Sequence, residues 1–320
     1  KYANMKIYGN TTTTHSVCPN CGTDNTQVVG EYRYNVEYDR HILKSENILR
    51  CLSCDLSFAD PMPTDDILDT YYREIYRSKG RPGYIKDPPE PAPRHFSYIS
   101  YLTQGINFSE IKNIFEVGAG WGEFGSLLKQ SFPVIELYTI EPDKHTQVAL
   151  KRNGFKIVST TGEIKEGIDL IVSTHSLEHF NNINKFFGMF DPILKKGGYL
   201  FVEVPNCPFD NGFYSRPYDS PHLLFFNAMS LSKIAGLRNY SVLSTHTTGF
   251  SFNVEFELCR KSKDYYENWT PDSPLPKSTP KLIIKTLIKS ILNKNLNRNL
   301  IFLFFSILVV SISIFSCLSG

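Results

Sequence analysis

The sequence has almost no charge imbalance: 34 Lys and Arg stand against 32 Asp and Glu, a formal net charge of +2. A protein that tracks nucleic-acid phosphates needs a concentrated basic surface, so this balance argues against broad nucleic-acid binding. Cysteine is sparse, with seven in 320 residues. That is too thin for the disulfide framework of a small secreted chain. No internal repeat or low-complexity stretch is evident. The opening, Lys1 to Thr14, is polar and does not read as a secretory leader, and a first residue other than Met fits a trimmed or partial chain. What is present, 41% hydrophobic and 21% charged residues, suffices for a sizeable core in one large domain or two smaller ones.

Four of the cysteines form a pattern. Cys18-Pro19-Asn20-Cys21 and Cys51-Leu52-Ser53-Cys54 are tight turns with the same two-residue gap. The gap lets both thiolates of a turn face one point, and two such knuckles supply the four sulfurs that tetrahedral zinc prefers. The expectation is a β-rich zinc-ribbon module over residues 1–63, with Cys18, Cys21, Cys51 and Cys54 as metal ligands. A closed four-sulfur site leaves no position for substrate, so the zinc would be structural. Cys207, Cys259 and Cys317 stand alone and receive no role.

A helix is predicted over 64–76, with Thr64 as N-cap and Asp65 and Asp66 favouring the positive helix start. Five prolines between Arg81 and Pro93 rule out regular structure there. A loop of that length is a lid or a linker, and a short helix follows over 94–105. Residues 64–107 thus read as a helical linker and lid. From there apolar runs at 113–117, 134–140, 155–158, 168–173 and 199–204 have strand length, with helical stretches between the first few. Such alternation predicts an α/β fold over 108–262: a parallel, Rossmann-like sheet with helices on both faces. A last helix near 228–236 precedes strands 240–246 and 250–259, joined by Thr248-Gly249. That hairpin predicts an antiparallel edge strand on the sheet.

The segment 263–320 follows neither pattern. Lys281, Lys285 and Lys289 recur among Leu282, Ile283, Ile284, Leu287, Ile288, Ile291 and Leu292, which predicts a basic amphipathic helix on an anionic membrane surface. Leu300 to Leu318 then runs nineteen residues without a charge. As a helix it would span roughly 28 Å, close to the bilayer core. Basic residues crowd before it and none follow, so the expected location is cytoplasmic, on the inner membrane face.

Phe115-Glu116-Val117-Gly118-Ala119-Gly120-Trp121-Gly122 follows an apolar strand and opens a helix. The dinucleotide fingerprint needs Gly at its first, third and sixth positions, and counting from Gly118 the sixth is Glu123, so it fails. Glycine instead recurs at alternate positions, with an acid two residues before the first. Glu141 ends the second strand, where a carboxylate can take both ribose hydroxyls of a nucleotide-like ligand. From about Lys112 to Lys261 the chain resembles the class I S-adenosylmethionine-dependent methyltransferases. That resemblance implies a seven-stranded sheet and a cofactor held by Glu116, Gly118, Ala119, Gly120, Gly122 and Glu141, with Glu163 and Ile164 at the adenine. Asp169 to Phe180 resembles the family's fourth strand and following turn, and Leu194 to Leu200 the glycine-containing entry to its fifth.

The knuckles, with Phe58-Ala59-Asp60-Pro61-Met62-Pro63 and a Tyr-rich helix, are similar to bacterial zinc-ribbon methyltransferases, including sugar C-methyltransferases. In those enzymes a Glu-His pair before an aromatic cluster supplies the general base. Here the matching run is Asp219 to Phe226, with His222 kept and Pro221 in place of the glutamate, and the family's large third domain is missing. The implied catalytic residues are His222, His179 and Glu178, with His175 nearer the cofactor. Histidine suits proton removal because its ordinary pKa of ~6.5 leaves it near half-neutral at working pH. Tyr71, Tyr72, Tyr76, Tyr214 and Tyr218 are candidates for the acceptor pocket, and the proline-rich loop for a lid.

Three readings follow. The first is a methyltransferase for a sugar or glycan precursor, free or lipid-linked. The second is an O-methyltransferase of a quinone-like or lipidic acceptor, which the Leu177-Glu178-His179 turn also resembles. The third is a zinc-ribbon protein that binds or modifies RNA. Against the third, residues 22–50 hold Arg33, Arg40, Lys44 and Arg50 but also Asp24, Glu31, Glu37, Asp39 and Glu46. No nucleic-acid partner is therefore expected.

Overall fold

The computed structural model describes residues 17–81, 84–207, 221–248 and 254–261, the last eight and residues 247–248 by their backbone alone. In chain order the elements begin with strand β1 (Thr26–Glu31), helix α1 (Glu37–Leu43), strands β2 (Asn47–Cys51) and β3 (Ser57–Asp60) and helix α2 (Asp65–Thr70). Helix α2 runs on into a wider π-turn at Tyr71–Ile75. Helix α3 (Pro93–Gly105) leads into β4 (Asn113–Val117), α4 (Glu123–Ser131), β5 (Glu136–Ile140), α5 (Lys144–Arg152), β6 (Phe155–Ile157) and β7 (Ile168–Thr174). The chain then forms α6 (Ile183–Phe190), β8 (Leu194–Pro205), β9 (Leu224–Phe225), α7 (Ala228–Leu237), β10 (Tyr240–Thr248) and β11 (Val254–Lys261).

The large sheet has seven strands in the order β10-β11-β8-β7-β4-β5-β6. Its strands are apolar on both faces because helices cover both, as parallel sheets require. Alternation sorts the side chains. Ile114, Leu170, Val172 and Phe201 pack with Tyr98, Leu102, Phe124, Leu128 and Leu150 from α3, α4 and α5. Their neighbours Phe115, Ile171, Leu200 and Val202 face Phe186, Phe190, Leu231 and Ile234 of α6 and α7.

Three expectations change. The hairpin does not place its antiparallel strand at the edge. β11 pairs antiparallel with both β8 and β10, so β10 is the edge strand. A twelve-residue β8 offers a long free edge, and the second strand of the hairpin folds back onto it. β8 itself begins five residues earlier than predicted, because Gly197 and Gly198 sit inside the strand at an irregular register with β7 rather than ahead of it. Thr64 has the extended backbone of an N-cap, but its side chain makes no capping bond. Instead Asp65 in the first turn pairs with Lys185 at 2.7 Å and accepts from Asn181 at 2.8 Å, tying α2 to the sheet domain.

The small sheet, order β1-β2-β3-β9, is completed across the expected module border: Ser57 and Phe58 of β3 pair with Phe225 and Leu224. The segment bearing His222 thereby becomes part of both sheets' surroundings. The predicted amphipathic helix at 281–292, the uncharged run 300–318, Tyr214, Tyr218 and Gly249 of the predicted turn lie outside the described residues. Among the described residues no helix is long and apolar enough to cross a membrane.

Candidate active site

At the carboxyl end of β4 the chain turns through Gly118 and Gly120, both left-handed (φ 60° and 56°). An added Cβ would lie 2.9 Å from Ser176 Oγ at the first and 3.0 Å from Arg77 Nη2 at the second. The left-handed backbone at both positions favours glycine, and at Gly118 the Ser176 hydroxyl leaves little room for a Cβ. Ala119 and Gly122 close the turn through the Gly122 N–H, which donates to the Ala119 carbonyl at 2.7 Å. Glu141 straps it to β5: Glu141 Oε2 accepts the Gly120 N–H at 2.7 Å and Oε1 the Asp143 N–H at 3.0 Å. Glu116 is also buried, and its Oε2 accepts the Gly125 N–H at 3.0 Å, bracing α4 against β4. Burial pushes the Glu116 carboxyl up to about 8 and raises that of Glu141 as well. Glu163 Oε1 accepts the Ser159 and Thr160 N–H groups at 2.9 and 3.0 Å, capping its own turn. Ile164 beside it packs in the same apolar cluster as Val117 and Tyr138.

Sequence reasoning missed Arg77. It follows the π-turn, approaches Gly120 and lies 3.5 Å from Asp143 Oδ2 and 3.8 Å from Glu141 Oε1. Its signal is weak because more than forty residues separate it from the glycine turn. The same helical segment carries Tyr72, whose hydroxyl is 2.9 Å from His179 Nδ1, and Tyr76, whose ring lies 6.5 Å from the His179 ring. Tyr71 is turned away. Its hydroxyl donates to Asp39 Oδ2 at 3.1 Å, in a group that includes the Asp39–Arg81 ion pair. Neighbouring residues on a helix project about 100° apart, so Tyr71 and Tyr72 cannot share one face.

Past β7 the turn Leu177–His179 presents the acceptor-side candidates. One ligand atom each from Glu178, His179 and His222 lie within 4.8 Å of one another, and the His179 and His222 rings meet edge-on at 5.0 Å. His175, with a left-handed φ of 49°, places its ring between two buried carboxylates, 3.3 Å from Glu178 and 3.0 Å from Glu203. Burial opposes its charge, yet Glu203 and Glu178 together raise His175 to about 10, so it is an imidazolium at neutral pH. Glu178 loses hydration by burial, but the His175 hydrogen bond and the other histidines hold it at about 2, ionised. Burial lowers His179 and drives His222 down to about 3, so both are neutral. Glu203 went unnoticed in the sequence because an acid in a Val-Glu-Val strand reads as a solvent-facing position.

The four knuckle cysteines converge. Cys18 and Cys54 are 3.5 Å apart at sulfur, Cys21 and Cys51 likewise, and all four sulfurs lie within 4.8 Å of one another. The Asn20 and Cys54 N–H groups point at Cys18 and Cys51 sulfur, each at 3.4 Å. Asp55, in the second knuckle, joins Arg50 at 2.7 Å to Lys233 of α7 at 2.9 Å, which ties the cluster to the large sheet's helices.

A family model described as a methyltransferase domain matches residues 88–245. No curated protein matches the sequence. Among solved structures the chain is similar to a magnesium protoporphyrin IX methyltransferase from Synechocystis with bound S-adenosylmethionine, at 12% identity, covering 61% of this chain and 97% of that one, TM-score 0.44. It is similar also to a Burkholderia thailandensis 1,6-didemethyltoxoflavin-N1-methyltransferase, at 11% identity, covering 66% of this chain and 98% of that one, TM-score 0.46. The family match spans the glycine turn, the strapping Glu141 and the histidine cluster, all at one edge of the sheet. Residues 88–245 carry a methyltransferase domain.

Proposed function

We propose that the protein methylates a small-molecule acceptor, a sugar or glycan precursor of the cell envelope, held beside Glu178, His179 and His222. One observation carries this reading: a single helical segment touches both halves of the crevice, Arg77 at Gly120 and Tyr72 at His179. The two halves are therefore neighbours, as direct transfer of a group between two ligands requires. Gly118 to Gly122 and Glu141 would hold the adenosyl part of S-adenosylmethionine, and Arg77 the methionyl carboxylate. When bound, the cofactor supplies an electrophilic methyl group on a sulfonium. The neutral imidazoles of His179 and His222 and the carboxylate of Glu178 would stand beside the acceptor's reacting oxygen.

The four cysteines fit zinc. At Zn–S bonds of ~2.3 Å the edges of a regular tetrahedron are ~3.8 Å, close to the sulfur separations described. The zinc would brace the small sheet and so the β9 segment next to His222. The uncharged run at 300–318 supports attachment to the cytoplasmic membrane face, where a lipid-linked sugar would lie.

Methyl-labelled S-adenosylmethionine added to cell-envelope extracts with the protein tests the reading. Label in sugar fractions is expected, and label confined to lipid extracts would shift the acceptor to a quinone-like molecule. No label in either would defeat it.

A further inference from the structure

We infer that Glu178, His179 and His222 bind one divalent transition-metal cation, through which an oxygen of the acceptor is held and activated. The inference rests on placing the acceptor in this crevice, but its test is separate. Two imidazoles and one carboxylate, with ligand atoms within 4.8 Å of one another, are a donor set that closes on an ion after sub-ångström shifts to bonds of ~2.1 Å. Three protein ligands leave coordination positions open for an acceptor.

Two further observations point to a ligand there. Glu178 is fully buried and its Oε2 makes no hydrogen bond, while Oε1 is engaged by His175. A buried carboxylate oxygen without a hydrogen-bond partner is costly to keep, and an ion held by this carboxylate would offset that cost. His179 is also oriented as a metal ligand is. Its Nδ1 meets the Tyr72 hydroxyl at 2.9 Å and the Pro221 carbonyl at 3.5 Å, leaving Nε2 4.0 Å from Glu178 Oε1. Partners on the second ring nitrogen fix the tautomer of metal-bound histidines in this way. The donor chemistry separates this site from the cysteine cluster: four thiolates select zinc, whereas nitrogen and oxygen ligands accept manganese, iron or cobalt.

A cation here would lower the pKa of a coordinated acceptor hydroxyl. The hydroxyl proton leaves to water, the methyl moves from sulfur to oxygen, and the S–C electron pair stays on sulfur as the thioether. The acceptor class is accordingly an alcohol, diol or enol.

The test is titration of the zinc-loaded full chain with Mn2+, followed by loss of the free-ion electron paramagnetic resonance signal, with S-adenosylhomocysteine affinity measured in parallel. We expect one Mn2+ per chain, weakened at least tenfold in Glu178→Gln and in His222→Ala, with S-adenosylhomocysteine affinity within about threefold. If Glu178→Gln fails to fold, His222→Ala decides alone. No stoichiometric Mn2+ or Co2+ in a chain that binds S-adenosylhomocysteine overturns the inference, as does unchanged Mn2+ binding in His222→Ala. Loss of S-adenosylhomocysteine binding in the wild type strikes the methyl-transfer reading instead.

Discussion

The two halves of the crevice are built on opposite principles. Around the glycine turn two carboxylates accept from nearby backbone: Glu116 from Gly125, Glu141 from Gly120 and Asp143. Around the histidines, the buried carboxylates Glu178 and Glu203 are both approached by the His175 ring, and Glu178 Oε2 keeps no hydrogen bond. The first half is braced by its own backbone. The second holds charge and proton-accepting capacity in reserve, as sites of chemistry do. Perturbed groups therefore mean different things in the two halves. The raised Glu116 buttresses a turn, and the lowered histidines gather beside Glu178.

This contrast can be broken experimentally, and the largest effect should come from the acceptor side. His222→Ala should cut methyl transfer to the extract acceptor by roughly 100-fold or more while cofactor affinity stays within about threefold, read by label incorporation and calorimetry. Gly120→Ala should do the reverse. An L-residue at φ 56° against Arg77 is strained, so S-adenosylhomocysteine should bind at least about tenfold more weakly. Glu116 sharpens the comparison through pH. Its folded pKa of about 8 lies above the unfolded value, so its contribution to stability is full below about 4.5 and is lost as pH rises through 8. Glu116→Gln should flatten denaturant-measured stability over that window, by an amount on the order of a few kcal/mol. The smallest effect is expected from Tyr72→Phe, a few-fold drop in turnover with cofactor affinity unchanged, because only the hydroxyl at His179 Nδ1 is lost.

The same contrast explains what could be read in the sequence. The strands at 113–117 and 168–173 announce themselves as apolar runs, and the glycine turn, Glu141 and both cysteine knuckles are local patterns in which a few adjacent residues carry the geometry. The acceptor side is assembled from segments around 72–77, 175–179, 203 and 222, which no local period connects. Arg77 and Glu203 each look ordinary where they stand. They acquire a role only when the π-turn reaches Gly120 and β8 lies beside β7. His179 and His222 could be singled out as candidates, but not their contact. The position of β11 escaped for a related reason: a hairpin specifies its own pairing, while which of its strands docks on the sheet depends on the free edge of β8.

The most direct test of the account is a structure of the full chain with S-adenosylhomocysteine. It should place the adenosine against Gly118 to Gly122 with Glu141 on the ribose, and the sulfur turned toward His179 and His222. A vacant crevice at saturating ligand, or a sulfur directed away from the histidines, would contradict it.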